Sequence, residues 1–301
     1  MSVRVGCHVS IAGTIDTAID RANALGCNTC QIFTRNPRQW RMKALSPKIV
    51  NKFIAKVKTS ALAPIFAHMP YLPNLASPRD IVYWKSIETL KTELRRCSLL
   101  QIPYLVTHLG SHLGSGIELG LERIIYSINT ALAVSDSNVM LLLENTAGTR
   151  NSIGSTFQNI QKIIERVIHP EKIGVCFDTS HAFAAGYDLR TKRDVMKVIE
   201  EIDCTIGFTK VKVLHLNDSR EEYNSRIDRH EHIGLGKIGL TGFRHILTSK
   251  LGTLPLILET PQDNRRNDYD NLQIVIKLAE HNTRADYALE KVSLKLSSVF
   301  S

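Results

Sequence analysis

The 301-residue chain has no apolar run near the ~20 residues needed to span a bilayer, which excludes an integral helical membrane protein, and no membrane partner is expected. Its first residues, MSVRVGCHVS, lack the apolar core of a secretory signal and read directly as a strand. A cytoplasmic protein is expected, or a nuclear one if the source is eukaryotic. The six cysteines (Cys7, Cys27, Cys30, Cys97, Cys176 and Cys204) have no framework spacing, and reduced thiols are the simplest reading. Acidic residues are scarce at the start: residues 1–60 hold ten Lys and Arg against Asp16 and Asp20 alone. With a net charge of +9 over the whole chain, that imbalance points to a basic face able to meet a polyanion. No linker or composition shift divides residues 1–282, which are expected to form one domain followed by a tail at 283–301.

What the chain does contain is a series of short apolar runs separated by longer stretches of helical period. Eight runs stand out: Val3 to Val9, Thr29 to Thr34, Pro64 to Met69, Tyr104 to Leu109, Val139 to Glu144, Lys172 to Asp178, Val211 to Leu216 and Pro255 to Glu259. Helices are predicted near 13–25, 46–58, 79–100, 116–135, 155–167, 192–204, 240–249 and 268–281, with Ser46-Pro47 and Ser77-Pro78 as start signals. Runs such as VMLLLE and KIGVCF scarcely alternate, as expected of parallel strands buried on both faces. Eight strands and eight helices fit an α/β fold with a single closed (β/α)8 barrel, a TIM barrel.

Active groups in such barrels come from the C-terminal ends of the strands. The third predicted strand ends at His68, the fourth at His108, the fifth at Glu144, the sixth at Asp178 with His181 just beyond, the seventh at His215 and the eighth at Glu259. Any one such histidine is more often a packed core or loop residue; six consecutive strands ending in metal-ligand types reverse that reading. The stretch DRHEH adds Asp228 and His230, which an extended chain points to the same side, with His232 as a rival. Five imidazoles with four carboxylates are too rich in nitrogen for Mg2+ or Ca2+ and suit Zn2+, with Mn2+ or Fe2+ as substitutes.

These residues resemble the endonuclease IV family of zinc-dependent apurinic/apyrimidinic (AP) endonucleases. The resemblance covers about 1–282 and rests on GCHVS, FTRNPRQW at 33–40, THLGSH at 107–112, LLLENTAG at 141–148, GVCFDTSHAFAAGYD at 174–188, HLNDSR, DRHEHIGLGKIG and ETP at 259–261. It implies three Zn2+ ions: one held by His68, His108 and Glu144, one by Glu144, Asp178, His215 and Glu259, and one by His181, Asp228 and His230. Three such cations would outweigh the four carboxylates and suit a phosphate. Glu259 and Glu144 would orient or deprotonate the attacking water. The implied substrate is double-stranded DNA containing an abasic site, cut 5′ to the lesion to give a 3′-hydroxyl and a 5′-deoxyribose phosphate. Removal of 3′ blocking groups would be a side activity, and a monomer is expected. Asn36, Arg38, Gln39 and Tyr71 match family residues that enter the DNA, where wedge side chains replace lost stacking. Without the resemblance, RNPRQWR at 35–41 would read equally well as a solvated basic loop anchored by Trp40.

Two rival functions are a metal-dependent sugar isomerase or epimerase of the same barrel class and a DNA-damage-binding module without catalysis. The first needs neither a third ion nor a basic loop; the second should lack some of the nine ligands. Three motifs are expected to be structural. Gly234-Leu-Gly-Lys-Ile-Gly239 fits GxGxxG but does not directly follow its strand, so it is read as turn glycines, and no nucleotide cofactor is expected. Cys27-Asn-Thr-Cys30 lacks a second pair and reads as buried thiols. His8 and His112 lie near the rim without a ligand role, His8 being expected to support the ligands by hydrogen bonding.

Overall fold

The computed structural model describes residues 3–134 and 138–280. Among them, one sheet has eight parallel strands: β1 (Val5–Cys7), β2 (Cys30–Phe33), β3 (Ile65–His68), β4 (Tyr104–His108), β5 (Met140–Glu144), β6 (Ile173–Asp178), β7 (Val211–His215) and, after a hairpin, β10 (Leu256–Leu258). The order runs β1-β10-β7-β6-β5-β4-β3-β2. An isolated parallel bridge between His8 and Gln31, with Val9 N–H donating to Gln31 O at 2.8 Å, joins the two ends. Gly6 permits that seam, because a Cβ there would lie 1.7 Å from Thr29 O. The chain is a TIM barrel.

Helices α1 (Thr17–Leu25), α2 (Pro47–Thr59), α3 (Asp80–Leu100), α4 (Ile117–Ala133) and α5 (Phe157–Arg166) follow the first five strands. Two helices follow β6, the short α6 (Thr179–Ala185) and α7 (Lys192–Thr205); α8 is Gly239–Leu247 and α9 spans 268–280. The eight predicted helices are present and α6 is additional. It arises because Asp178 caps it, Oδ1 accepting His181 N–H at 2.8 Å, so local capping overrides its short length. Ser46 caps α2 as its sequence predicts, whereas Ser77 accepts Arg79 N–H in a turn ahead of α3. The proposed tail at 283–301 lies outside the described residues. No helix among the described residues is long and apolar enough to cross a membrane.

The larger core lies between sheet and helices. A second cluster fills the barrel itself: Phe66, Val106, Leu142, Cys176, Val213 and Ile257, one from each of six strands. Each sits two residues before a predicted ligand, namely His68, His108, Glu144, Asp178, His215 and Glu259. The two-residue period of a strand therefore points those six donors inward, directly above an apolar floor.

Candidate metal centre

The donors converge into overlapping groups whose ligand atoms lie within 4.8 Å of one another: His68, His108 and Glu144; Glu144, Asp178, His215 and Glu259; and Asp178, His181 and His230. Asp228 approaches the last group from the β7–β10 connection, its carboxylate 3.2 Å from His181 Nε2 and 3.6 Å from His230 Nε2. All nine predicted ligands thus meet at one rim. These groups could hold metal ions; Glu144 is common to two of them.

The histidine hydrogen bonds show which nitrogen is free for a cation. A backbone carbonyl can only accept, so Nδ1 carries the proton in His68 (to Met69 O, 2.7 Å), His181 (to Asn145 O, 2.9 Å) and His230 (to Glu259 O, 2.9 Å). Each Nε2 is left as a lone-pair donor. His215 is reversed: its Nε2 meets Gln31 Oε1 at 2.9 Å, leaving Nδ1 toward Glu144 at 3.0 Å. His230 Nε2 is buried without a hydrogen-bond partner, which fits a donor whose partner is a cation. The residues present therefore fit metal ions.

Electrostatics favour the charged carboxylates. Burial alone would raise the pKa of Glu144, but His108, His215 and His68 hold it well below the usual range. Glu259 is likewise depressed against burial by His215 and His8. Burial opposes ionisation of Asp228 too, yet His181 brings it down to about 2.

Residues 19–283 match the family described as "Xylose isomerase-like TIM barrel". A protein of Methanoculleus marisnigri named "Probable endonuclease 4" is 55% identical over 279 residues, covering 92% of this chain and 99% of that one. The chain belongs to the endonuclease IV family. A second relative of that name, from Cenarchaeum symbiosum, is 47% identical over 92% of this chain and its own whole length. The crystal structure of endonuclease IV from Thermus thermophilus superposes with a TM-score of 0.82 at 36% identity, covering 92% of this chain and 99% of that one. A D-tagatose 3-epimerase-like protein, at 18% identity and a TM-score of 0.68, shares the fold.

In this member of the endonuclease IV family, Tyr71 lines the cavity that holds the donors, and the other predicted DNA-contacting residues lie on a turn joined to it. Asn36, Arg38 and Gln39 are exposed on one turn, Asn36 Oδ1 accepting Arg38 N–H at 3.0 Å. Tyr71, 60% exposed, is tied to that turn by its N–H donating to Pro37 O at 3.1 Å, and its ring meets Phe33 edge-on at 5.1 Å. The cavity measures about 450 Å3 and is also lined by His68, His108, His230 and Glu259.

The rival and structural motifs separate from the donors. His232 is fully buried behind the rim, Nε2 against Asp263 Oδ1 at 3.0 Å and Nδ1 accepting from Asn271 Nδ2 at 2.9 Å. The GxGxxG turn wraps the chain's own carboxylate. Gly234, Gly236 and Ile238 donate backbone N–H groups to Asp218 at 2.9–3.0 Å. A Cβ at Gly236 would lie 2.5 Å from that carboxylate. Asp218 thereby anchors the hairpin of β8 (Asp218–Ser219) and β9 (His230–Glu231), which carries His230. Cys27 and Cys30 are buried, burial pushing the Cys30 thiol up to about 12. His8 Nδ1 lies 3.0 Å from Glu259 Oε1, in the supporting position expected. His112 accepts backbone N–H groups from Gly114 and Gly116, a loop role.

Three supporting residues escape a search for ligand types. Gln31 donates to Glu259 Oε1 at 2.8 Å while accepting from His215. Asn217 donates to Asp178 Oδ2 at 2.7 Å and accepts Glu259 N–H at 2.8 Å. Asn145 pairs its amide with the Asp178 backbone, at 3.0 Å and 2.7 Å. Their signal was available: each is an uncharged amide inside or just after an apolar run, on the inward face or next to a ligand.

Proposed function

We propose that this chain is a DNA-repair endonuclease that hydrolyses the phosphodiester bond 5′ to an abasic site, leaving a 3′-hydroxyl and a 5′-deoxyribose phosphate, and that it also clears blocked 3′ ends. The observation that carries this reading is the convergence of nine donors at one rim, six of them lining a cavity that Tyr71 also lines, with the exposed turn at 36–39 joined to Tyr71 through Pro37 O. The ligand assignment that follows is three zinc ions: His68, His108 and Glu144; Glu144, Asp178, His215 and Glu259; His181, Asp228 and His230. Bound there, the ions supply Lewis acidity toward a phosphate and activation of water at neutral pH.

The protein residues do the rest. Glu259, held ionised by His215 and His8 and steadied by Gln31, is the group to orient the attacking water and accept its proton, with Glu144 opposite. Gln31 and the backbone carbonyls fix the imidazoles before substrate arrives. Arg38 and Gln39 enter the duplex beside the lesion, and Tyr71 fills the gap left when the abasic nucleotide turns outward, the cheapest nucleotide to displace because it has no base to unstack. A sugar isomerase would use Glu144, Asp178, His215 and Glu259 and would leave the other five donors without work.

The test is incision of a duplex carrying a tetrahydrofuran abasic analogue, which cannot undergo β-elimination. Cleavage on its 5′ side, a 3′ end that a polymerase extends, and loss of cleavage on chelation are expected. If the analogue survives while a natural abasic site is cut, the enzyme is a lyase and the hydrolytic mechanism is wrong.

A further inference from the structure

The chain has two tryptophans, and both line one groove outside the rim. Trp40 leads out of the basic turn; Trp84 lies near the start of α3 and is 50% exposed. Arg41, Met42 and Lys85 complete the opening, and the groove holds about 600 Å3, the scale of a small-molecule site. Lys85 Nζ lies 5.7 Å from the centre of the Trp40 ring, and Tyr126 meets Trp84 edge-on at 6.2 Å.

The two walls are fixed to each other from beneath. Arg35, 7% exposed, donates to Trp40 O at 3.0 Å and to Thr89 Oγ1 at 3.4 Å, and pairs with the buried Glu93 at 2.8 Å. One guanidinium thus spans the loop wall and the α3 wall, so the groove is formed before any occupant arrives. The groove's edge also carries one acid, Glu88, which pairs with Lys91 at 2.7 Å, against two exposed lining cations, Arg41 and Lys85.

We propose that this groove is a stacking site for an unpaired nucleotide of the DNA strand flanking the lesion, such as a frayed or overhanging end. The assignment rests on the DNA-binding reading given above and extends it. Indole faces accept any base, and flanking cations accept its phosphate; that pairing is how proteins hold single strands without reading sequence. Paired bases are already stacked on one another, so an indole outside the rim selects a nucleotide that has left the helix. A docked protein would use the exposed aromatics equally well, but the two cations and the direct continuity of Trp40 with Arg38 and Gln39 favour a polyanion.

Trp40 and Trp84 are the chain's two tryptophans, so their emission reports on this groove, and the quenching lost in Trp84→Phe separates the groove from the lesion turn next to Trp40. The probe is single-stranded oligothymidylate of about eight nucleotides, titrated at several salt concentrations, beside abasic-analogue duplexes that are blunt or carry a single-stranded overhang. Saturable quenching is expected, with tighter binding of the overhung duplex. Trp84→Ala should remove that preference, a loss of about tenfold, with little change in salt dependence. Lys85→Ala should lower the salt slope by about one. Trp84→Phe keeps a ring in place and should retain most of the preference, which separates lost stacking from a disturbed α3. Unquenched fluorescence, or equal binding of blunt and overhung duplexes by the wild type, overturns the proposal. Concentration-dependent self-association abolished by Trp84→Ala overturns it as well, because the face would then join copies of the chain. Incision of the blunt duplex reads the lesion site separately, so failure of the groove leaves the endonuclease reading intact, and failure of incision does not imitate failure of the groove.

Discussion

The donor rim and the basic loop at 35–43 stand at the same end of the barrel, yet they are held by different kinds of contact. Six of the nine rim donors issue from barrel strand ends, and the rim's hydrogen-bond partners are mostly backbone carbonyls or amides next to other donors: Met69 O, Asn145 O, Glu259 O, Gln31 and Asn217. Apart from Tyr71 N–H, which reaches Pro37 O, the loop's buried anchors gather around one carboxylate. Glu93 on α3 pairs with Arg35 at 2.8 Å and accepts from Thr34 at 2.5 Å; Arg96, packed beside it, donates to Thr34 Oγ1 at 2.8 Å and to Lys43 O at 3.1 Å. A distributed support should fail one ligand at a time. A support resting on a single carboxylate should fail as a whole.

The largest effect tests the rim. Glu259→Gln keeps the shape of the side chain and removes its charge, and single-turnover incision should slow by roughly 10²–10⁴-fold with binding of the abasic duplex retained. A loss confined to binding would move Glu259 from the chemistry to the substrate contacts.

Next is the loop. Glu93→Gln leaves two guanidiniums in a buried site without a countercharge and should destabilise the fold by about 3 kcal/mol or more, read by denaturant unfolding. At temperatures where it stays folded, it should keep its metal content and lose lesion affinity. Equal loss of metal would mean that rim and loop are one unit and would break the comparison.

A smaller effect separates the two parts at the substrate. Tyr71→Ala should cost about 1–3 kcal/mol of affinity for abasic duplex, much less for intact duplex, and leave the salt slope nearly unchanged. Equal losses on both duplexes would reduce the tyrosine to a piece of the rim wall.

The contrast also explains what could be read from the chain. Strand ends were legible because the two-residue period is local: Phe66 below His68 or Val213 below His215 needs no knowledge of the rest of the fold. The loop was half legible. Arg35, Arg38 and Arg41 look alike in sequence, but Arg35 is buried because Glu93, far along the chain, lies beneath it. His232 could not be told from His230 by spacing, since Asp263 and Asn271 decide the matter from beyond β10. The basic start was similarly ambiguous. Lys52 and Lys56 pair with Asp16 at 3.0 and 2.8 Å, so part of that charge is spent between α1 and α2 rather than offered to a polyanion.

That pair gives the smallest prediction. Burial alone would raise the Asp16 carboxyl, but hydrogen bonds from Lys56, Thr14 and Lys52 hold it well below the ordinary range. A depressed folded-state pKa contributes stability that is present above the unfolded value, about 4, and lost as pH falls through the folded one. Asp16→Asn should therefore lower the melting temperature at neutral pH, and the gap to wild type should narrow steadily as pH falls below about 4. Incision should not change. A gap that does not narrow in acid would assign the effect to packing rather than charge.

Elemental analysis of the purified protein tests the central claim most directly, that nine donors form one trinuclear centre joined through Glu144. About three zinc ions per chain are expected, with Glu144→Gln losing more than one because its carboxylate serves two. One or two ions in undamaged wild-type protein, or loss of a single ion from Glu144→Gln, would contradict it.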